Sequence, residues 1–177
     1  MLIFNIYFLY MYIVTDPVPA AACSTLYPLI DGATYRIEDD AFTVTTTYGH
    51  PLGMLRLHSS GGWSAADDNT GVGEWIQADL GATFFVAAIS TQGYSGSAYS
   101  RVTQYTISVF VDGGAFTMVT DANGAEVVFD GNLTDDNNVV VRNELPEIVE
   151  ARVVRLTIVA YNRHASLRWE IEGCPPN

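Results

Sequence analysis

Glu74-Trp75-Ile76-Gln77-Ala78-Asp79-Leu80 alternates apolar and polar side chains, the period of a strand with one face on a core and the other toward solvent. Working outward, Phe85 to Ile89 is a continuous apolar run, as in a strand covered on both faces. Phe42 to Thr47 is β-branched or aromatic throughout. Gln104 to Val111 alternates again, reaches Asp112-Gly113-Gly114, and resumes from Ala115 to Val119, which is a hairpin signal. Asn123-Gly124 and Asp130-Gly131 bound a short Glu126 to Phe129 strand, and Val139-Val140-Val141 supplies another. Arg152 to Val159 and Leu167 to Glu172 complete the set, joined by a polar loop. Many short strands separated by turn signals, with no 3.6-residue periodicity, predict an all-β antiparallel sandwich or jelly roll.

The chain has 177 residues, enough for one domain that buries about 70% of its unfolded surface. A hydrophobic fraction of 49%, with ten tyrosines, eight phenylalanines and three tryptophans, is the composition of a globular chain. Twenty acidic side chains against eight basic ones give a formal net charge of −12. That balance argues against nucleic acid, whose phosphates need clustered cations, and weakens the case for anionic membrane surfaces. Residues 1–22 hold the apolar run Leu2 to Val14 and the small residues Ala20-Ala21-Ala22, which together look like a secretory signal without its positive start. A lipoprotein signal ending at Cys23 and a mis-assigned start are the alternatives. The domain proper is expected over 23–174, with 175–177 as a tail. Cys23 and Cys174 are the only cysteines; pairing them would bring the first and last strands side by side, and two unrelated buried thiols is the other reading.

Between those cysteines the residues resemble a known family. Gly62-Trp63-Ser64-Ala65-Ala66 followed by Glu74 to Gly81 is similar to a discoidin domain, also called a coagulation factor V/VIII type C domain. Ser90-Thr91-Gln92-Gly93, Gln104-Tyr105-Thr106-Ile107, Phe129-Asp130-Gly131-Asn132, Ala151 to Leu156 and Leu167 to Cys174 follow in the family's order. The resemblance implies a β-sandwich of about eight antiparallel strands, a Cys23–Cys174 disulfide joining its ends, and ligand binding by loops, or spikes, at one end. It also implies an extracellular, secreted setting and a ligand among cell-surface glycans or glycoproteins, phospholipid headgroups and protein receptors.

By position the first spike is Tyr48 to Met54, the second lies between Leu57 and Gly62, and the third between Tyr94 and Arg101. The first offers only Tyr48, Leu52 and Met54 as apolar groups, little anchorage for a membrane. Tyr48, His50, Arg56, His58, Tyr94, Tyr99 and Arg101 are the residue types that hold a sugar by stacking and hydrogen bonds. Carbohydrate is therefore the first expectation. A protein-interaction module of a larger receptor or matrix protein, or a peripheral phospholipid binder, is the alternative. The family's fucose-binding element is absent. Trp63 and Trp75 read as core, and Asp79, Arg155, Arg168 and Glu170 as members of core salt bridges, since charges among apolar strand residues must be partnered.

No cofactor is expected. The oxygen donors to inspect for calcium are Asp68, Asn69 and Glu170. His50, His58 and His164 lack metal-ligand spacing, and no Ser or Cys sits in a nucleophile motif, so no enzyme is expected. Asn132-Leu133-Thr134 is a glycosylation sequon.

Overall fold

A computed structural model describes residues 23–66, 71–96 and 99–176. Nine strands run antiparallel: β1 (Tyr27–Pro28), β2 (Phe42–Val44), β3 (Trp63–Ser64), β4 (Trp75–Gln92), β5 (Arg101–Phe110), β6 (Thr117–Met118), β7 (Phe129–Asp130), β8 (Val141–Asn162) and β9 (Ser166–Cys174). Their order is β1-β9-β4-β8-β5-β6, with β2 also on β4, β3 on β9 and β7 on β5. The first part of β4 pairs with β2 and with the second half of β8; its later part pairs with β9 and the first half of β8. One pair of long strands thus carries both layers, and the sheet curls into a sandwich.

The curl has a local cause. The β4–β8 register shifts between Asp79 and Phe84 and again between Val86 and Ala88, and such bulges bend a strand and sharpen its twist. Gly81 lies in the first break at φ 76°, a left-handed conformation that favours glycine. Here the expected strands Glu74–Leu80 and Phe85–Ile89 prove to be one element, because β8 accompanies β4 past the bulge. Val139–Val141 and Arg152–Val159 are merged in β8 in the same way, except that residues 139 and 140 precede it. Phe42–Thr47 is cut short at Val44, since the Thr45 and Thr46 hydroxyls turn aside to bond the Glu74 carboxylate.

Alternation in β4 places Ile76, Ala78 and Leu80 inward. They join Phe42, Trp63, Ile89, Tyr105, Ile107, Leu156 and Trp169 in a single core fed by both layers. Trp75 falls on the opposite phase and is only half-buried, so its assignment to the core is corrected. Its ring packs under the Arg155 guanidinium, 4.2 Å from the ring centroid, while Phe116 receives the same guanidinium at 3.9 Å. Arg155 also donates from Nε and Nη2 to Gln77 Oε1, at 3.1 and 2.8 Å. Burial between the two rings draws its pKa below the usual arginine value.

The expected core salt bridges are corrected too. Asp79 is part-exposed on the outer face and pairs with Arg152, which also holds Asp112. Burial works to raise the Asp79 carboxyl, but the Arg152 hydrogen bond, the Gly81 N–H and the Arg152 charge together hold it below the ordinary range. Arg168 and Glu170 are buried without a carboxylate or cation as partner among the described residues. Glu170 Oε1 instead accepts the N–H groups of Leu29, Ile30 and Ile171 at 3.1, 2.6 and 3.0 Å, and Oε2 accepts that of Asp31 at 3.0 Å. Burial pushes this carboxyl up, and the four N–H donors offset only part of the shift.

Cys23 and Cys174 form a disulfide across a separation of 151 residues, with Cα atoms 5.6 Å apart. It closes the far end of β9, whose first residue, Ser166, lies at the loop-bearing end. Eight residues of strand put roughly 26 Å between the two. In the loop-entropy account this closure stabilises the fold by about 5 kcal/mol. Cys174→Ser is expected to lower unfolding free energy by up to about that amount in urea titrations, while ligand affinity of the folded fraction stays unchanged.

Candidate functional site

Where β3 meets the start of β9, the spikes enclose a cleft of about 610 Å³. Its floor is the Ser64–Ser166 pair, registered opposite each other, with hydroxyl oxygens 2.8 Å apart. Tyr48 and His50 form one wall, Tyr94 and Ser100 a second, and Arg163 with His164 a third. The rings form a continuous belt. His164 lies 6.0 Å from Tyr48 edge-on, Tyr48 is 6.3 Å from His50, and His50 is 5.5 Å from Tyr94.

Each wall is fixed by backbone bonds. Tyr48 N–H donates to Ser64 O at 3.0 Å, and His164 Nε2 bonds Ala65 O at 2.8 Å. Tyr94 N–H donates to Ser100 O at 3.1 Å, closing the third spike on itself. Asn137 Nδ2 clamps that closure from below by donating to Tyr94 O and Ser100 O, at 3.0 and 3.3 Å. Two glycines make room for the Tyr94 ring. A Cβ on Gly96 would lie 2.6 Å from Tyr94 Cε1, and one on Gly62, at φ 155°, 3.0 Å from Cδ2.

Arg168 holds the spikes together from inside. Its Nε donates to Gly93 O at 2.8 Å, Nη1 to Ser59 O at 3.0 Å, and Nη2 to Asn137 O at 2.7 Å and Asn138 Oδ1 at 3.2 Å. Second spike, third spike and the 137–138 loop are thereby tied to one guanidinium. Desolvation draws its pKa down, though an arginine remains charged at neutral pH.

Of the residues singled out from sequence, Tyr48, His50 and Tyr94 come together in the cleft. Tyr99 stands beside it, exposed, in a shallow depression shared with Asn162 and Arg163. The others do not join them. Arg56 is buried and donates to Ile30 O, Ile37 O and Asp39 Oδ1, because the short turn Leu52–Leu55 directs the chain inward beneath the first spike. Arg101 is the first residue of β5, buried and paired with Asp135 at 2.9 Å. Both arginines are therefore corrected from ligand contacts to supports.

His58, at φ 62°, sits in a turn where its N–H and ring engage the Gln92 amide, away from the cleft. Leu52 packs on the core, and Met54 lies against Gly61; neither projects as an apolar prong. Of the calcium donors, Asp68 and Asn69 fall outside the described residues, and both Glu170 oxygens are taken by N–H groups. Asn132 is corrected as a glycan acceptor: it is 1% exposed, and its Nδ2 donates to Val139 O.

Sequence reasoning missed Ser64, Ser100, Ser166, Arg163 and His164. The last two had a signal, since Asn162-Arg163-His164 interrupts two apolar strands. The serines had none, because only the β3–β9 register and the closure of the third spike bring them to the cleft.

The F5/8 type C domain model matches residues 41–171. The chain belongs to that family. Its discoidin-type fold is shared with relatives of known name. Over 148 residues it is 34% identical to neuropilin-1 of Gallus gallus, covering 78% of this chain and 15% of that protein. Lactadherin of Mus musculus is 29% identical over 166 residues, covering 88% of this chain and 34% of the relative. The chain thus spans about a third or less of the length of these two curated relatives. Among solved structures, discoidin II of Dictyostelium discoideum superposes with a TM-score of 0.65 at 25% identity, covering 77% of this chain and 56% of that one. A family 32 carbohydrate-binding module from C. perfringens NanJ, solved with galactose, gives 0.60 at 15% identity over 84% and 99%, a likeness of fold alone. A discoidin domain is a binding module, and this chain is one.

Two predictions test the architecture of the site. Arg168→Met strands three loop carbonyls and is expected to cost about 2–4 kcal/mol in urea unfolding, with faster amide exchange in all three loops. Gly96→Ala should leave stability within about 1 kcal/mol, because the obstructing Tyr94 ring can swing aside, yet weaken ligand binding measured by calorimetry.

Proposed function

We propose that this discoidin domain is a non-enzymatic, extracellular adhesion module that binds carbohydrate on a cell-surface or matrix glycoprotein. The observation that carries this reading is the belt of Tyr48, His50 and Tyr94 above a floor of serine hydroxyls. A sugar presents an apolar face to aromatic rings and hydroxyl edges to short polar side chains, and a concave site with both is suited to it. The galactose in the fold-related bacterial module agrees in kind. The packing of Leu52 on the core and of Met54 against Gly61 favours this reading over membrane insertion. The disulfide fits an oxidising, extracellular compartment.

The reading is tested on an array of printed oligosaccharides, followed by calorimetry on the sugars that bind. Tyr94→Ala is expected to weaken binding about tenfold, the equivalent of about 1.4 kcal/mol lost with one stacking ring. His50→Ala should act in the same direction, with a cooperative unfolding transition retained in both variants. Binding to phosphatidylserine vesicles with no glycan retained on the array would overturn the reading.

A further inference from the structure

We propose that the sugar received by this cleft is an acidic one, whose carboxylate or sulfate is met by Arg163. The proposal rests on the carbohydrate reading and narrows it. Its starting point is where the charges lie. The eight basic side chains of the chain are all arginines, set against twenty acidic residues. Five arginines, 36, 56, 101, 142 and 152, are in ion pairs. Arg155 is enclosed between Trp75 and Phe116, and Arg168 is committed to loop carbonyls. Arg163 is exposed on the wall of the cleft, and no ion pair joins it to a carboxylate among the described residues.

The cleft itself inverts the composition of the protein. Among the described residues that line it there is no Asp or Glu; the lining is aromatic, hydroxyl, imidazole and one guanidinium. In a chain of net charge −12 this is a surface where an anion meets a cation with no carboxylate among the described lining residues. Any exposed acidic group beyond about 8 Å of the guanidinium opposes an anion only weakly, because charges at that range are screened at physiological salt.

Local backbone and stacking hold Arg163 at its post. It occupies the β8–β9 turn at φ 60°, a left-handed conformation that few non-glycine residues adopt. Its guanidinium lies over the Tyr99 ring, 5.4 Å from the centroid. That contact is with the ring's π face and consumes no acceptor, and a guanidinium's N–H donors can form the paired hydrogen bonds that carboxylate and sulfate oxygens accept. Ser100 and the ring belt then address the rest of the sugar.

The test uses matched trisaccharides built on galactose, glucose and mannose, each in neutral, uronate and sulfated form, with affinities measured by calorimetry. At least one acidic form is expected to bind about tenfold tighter than its neutral counterpart, and the uronate and sulfate arms tell which anion is preferred. Arg163→Gln should remove that advantage, bringing the acidic and neutral affinities to within about twofold of each other. Arg163→Gly should do the same while suiting the φ 60° turn, so a folding defect in the first variant does not decide the outcome. If neutral and acidic forms bind equally and Tyr94→Ala weakens both, the acidic inference fails and the carbohydrate reading stands. An acidic preference that survives both Arg163 variants also overturns the inference. If no trisaccharide binds in any form, or binding ignores Tyr94→Ala, both are overturned.

Discussion

Arg168 places a cation inside the sandwich and satisfies it with the main-chain carbonyls of Gly93, Ser59 and Asn137. A buried guanidinium without hydrogen-bond acceptors would cost several kcal/mol, so its donors must be met. Here meeting them draws three separate loops to one point near the start of β9. The cleft exists because those loops converge: the second spike supplies Gly62 beside Tyr94, the third supplies Tyr94 itself, and the 137–138 loop supplies the Asn137 clamp. The desolvation of one charge and the shape of the site are therefore one constraint.

Glu170, two residues on, is the mirror case. Its carboxylate gathers four N–H groups, three of them from 29–31, and so fixes the segment that leads from the disulfide into the body of the domain. Arg56 repeats the device with Ile30 O and Ile37 O. Arg168 and Glu170 are matched to backbone dipoles, which can be supplied by any loop of suitable course, whereas Arg56 adds the Asp39 carboxylate and Arg101 pairs with Asp135. A direct Arg168–Glu170 pair would have satisfied the charges and tied nothing else down. The arrangement found couples each charge to segments distant in sequence, 75 to 141 residues away in most of these bonds.

The alternation from Glu74 to Leu80 was enough to read the all-β class, and the two cysteines with the ordered motifs between them were enough for the family and the staple. What the alternation left open was phase: Trp75 is large and apolar, yet Ile76, Ala78 and Leu80 take the inner face, and it lies outside under Arg155. The need for partners on Arg168 and Glu170 was legible, but not their kind, since backbone acceptors carry no residue identity to read. The site was half legible. Tyr48, His50 and Tyr94 sit in loops with visible turn chemistry, whereas Arg56 and Arg101 look like loop residues until a short turn and a strand start draw them inside. Ser64 and Ser166 meet only through the pairing of β3 with β9, 102 residues apart in sequence.

The division between support and rim also explains how one scaffold can serve different ligands. Arg168 grips Gly93, Ser59 and Asn137 by their carbonyl oxygens, and the third spike closes through Tyr94 N–H and Ser100 O. Main-chain groups survive substitution of the side chains they carry. Residues such as His50, Tyr99 and Arg163 can therefore change identity while the loops that bear them stay anchored, so that chemistry at the rim varies at little cost to the fold. The exceptions are positions where a side chain fills backbone space, as Tyr94 does between Gly62 and Gly96. At those positions the ring that meets the ligand is set by the glycines beside it, and substitution on either side of the contact is felt in recognition.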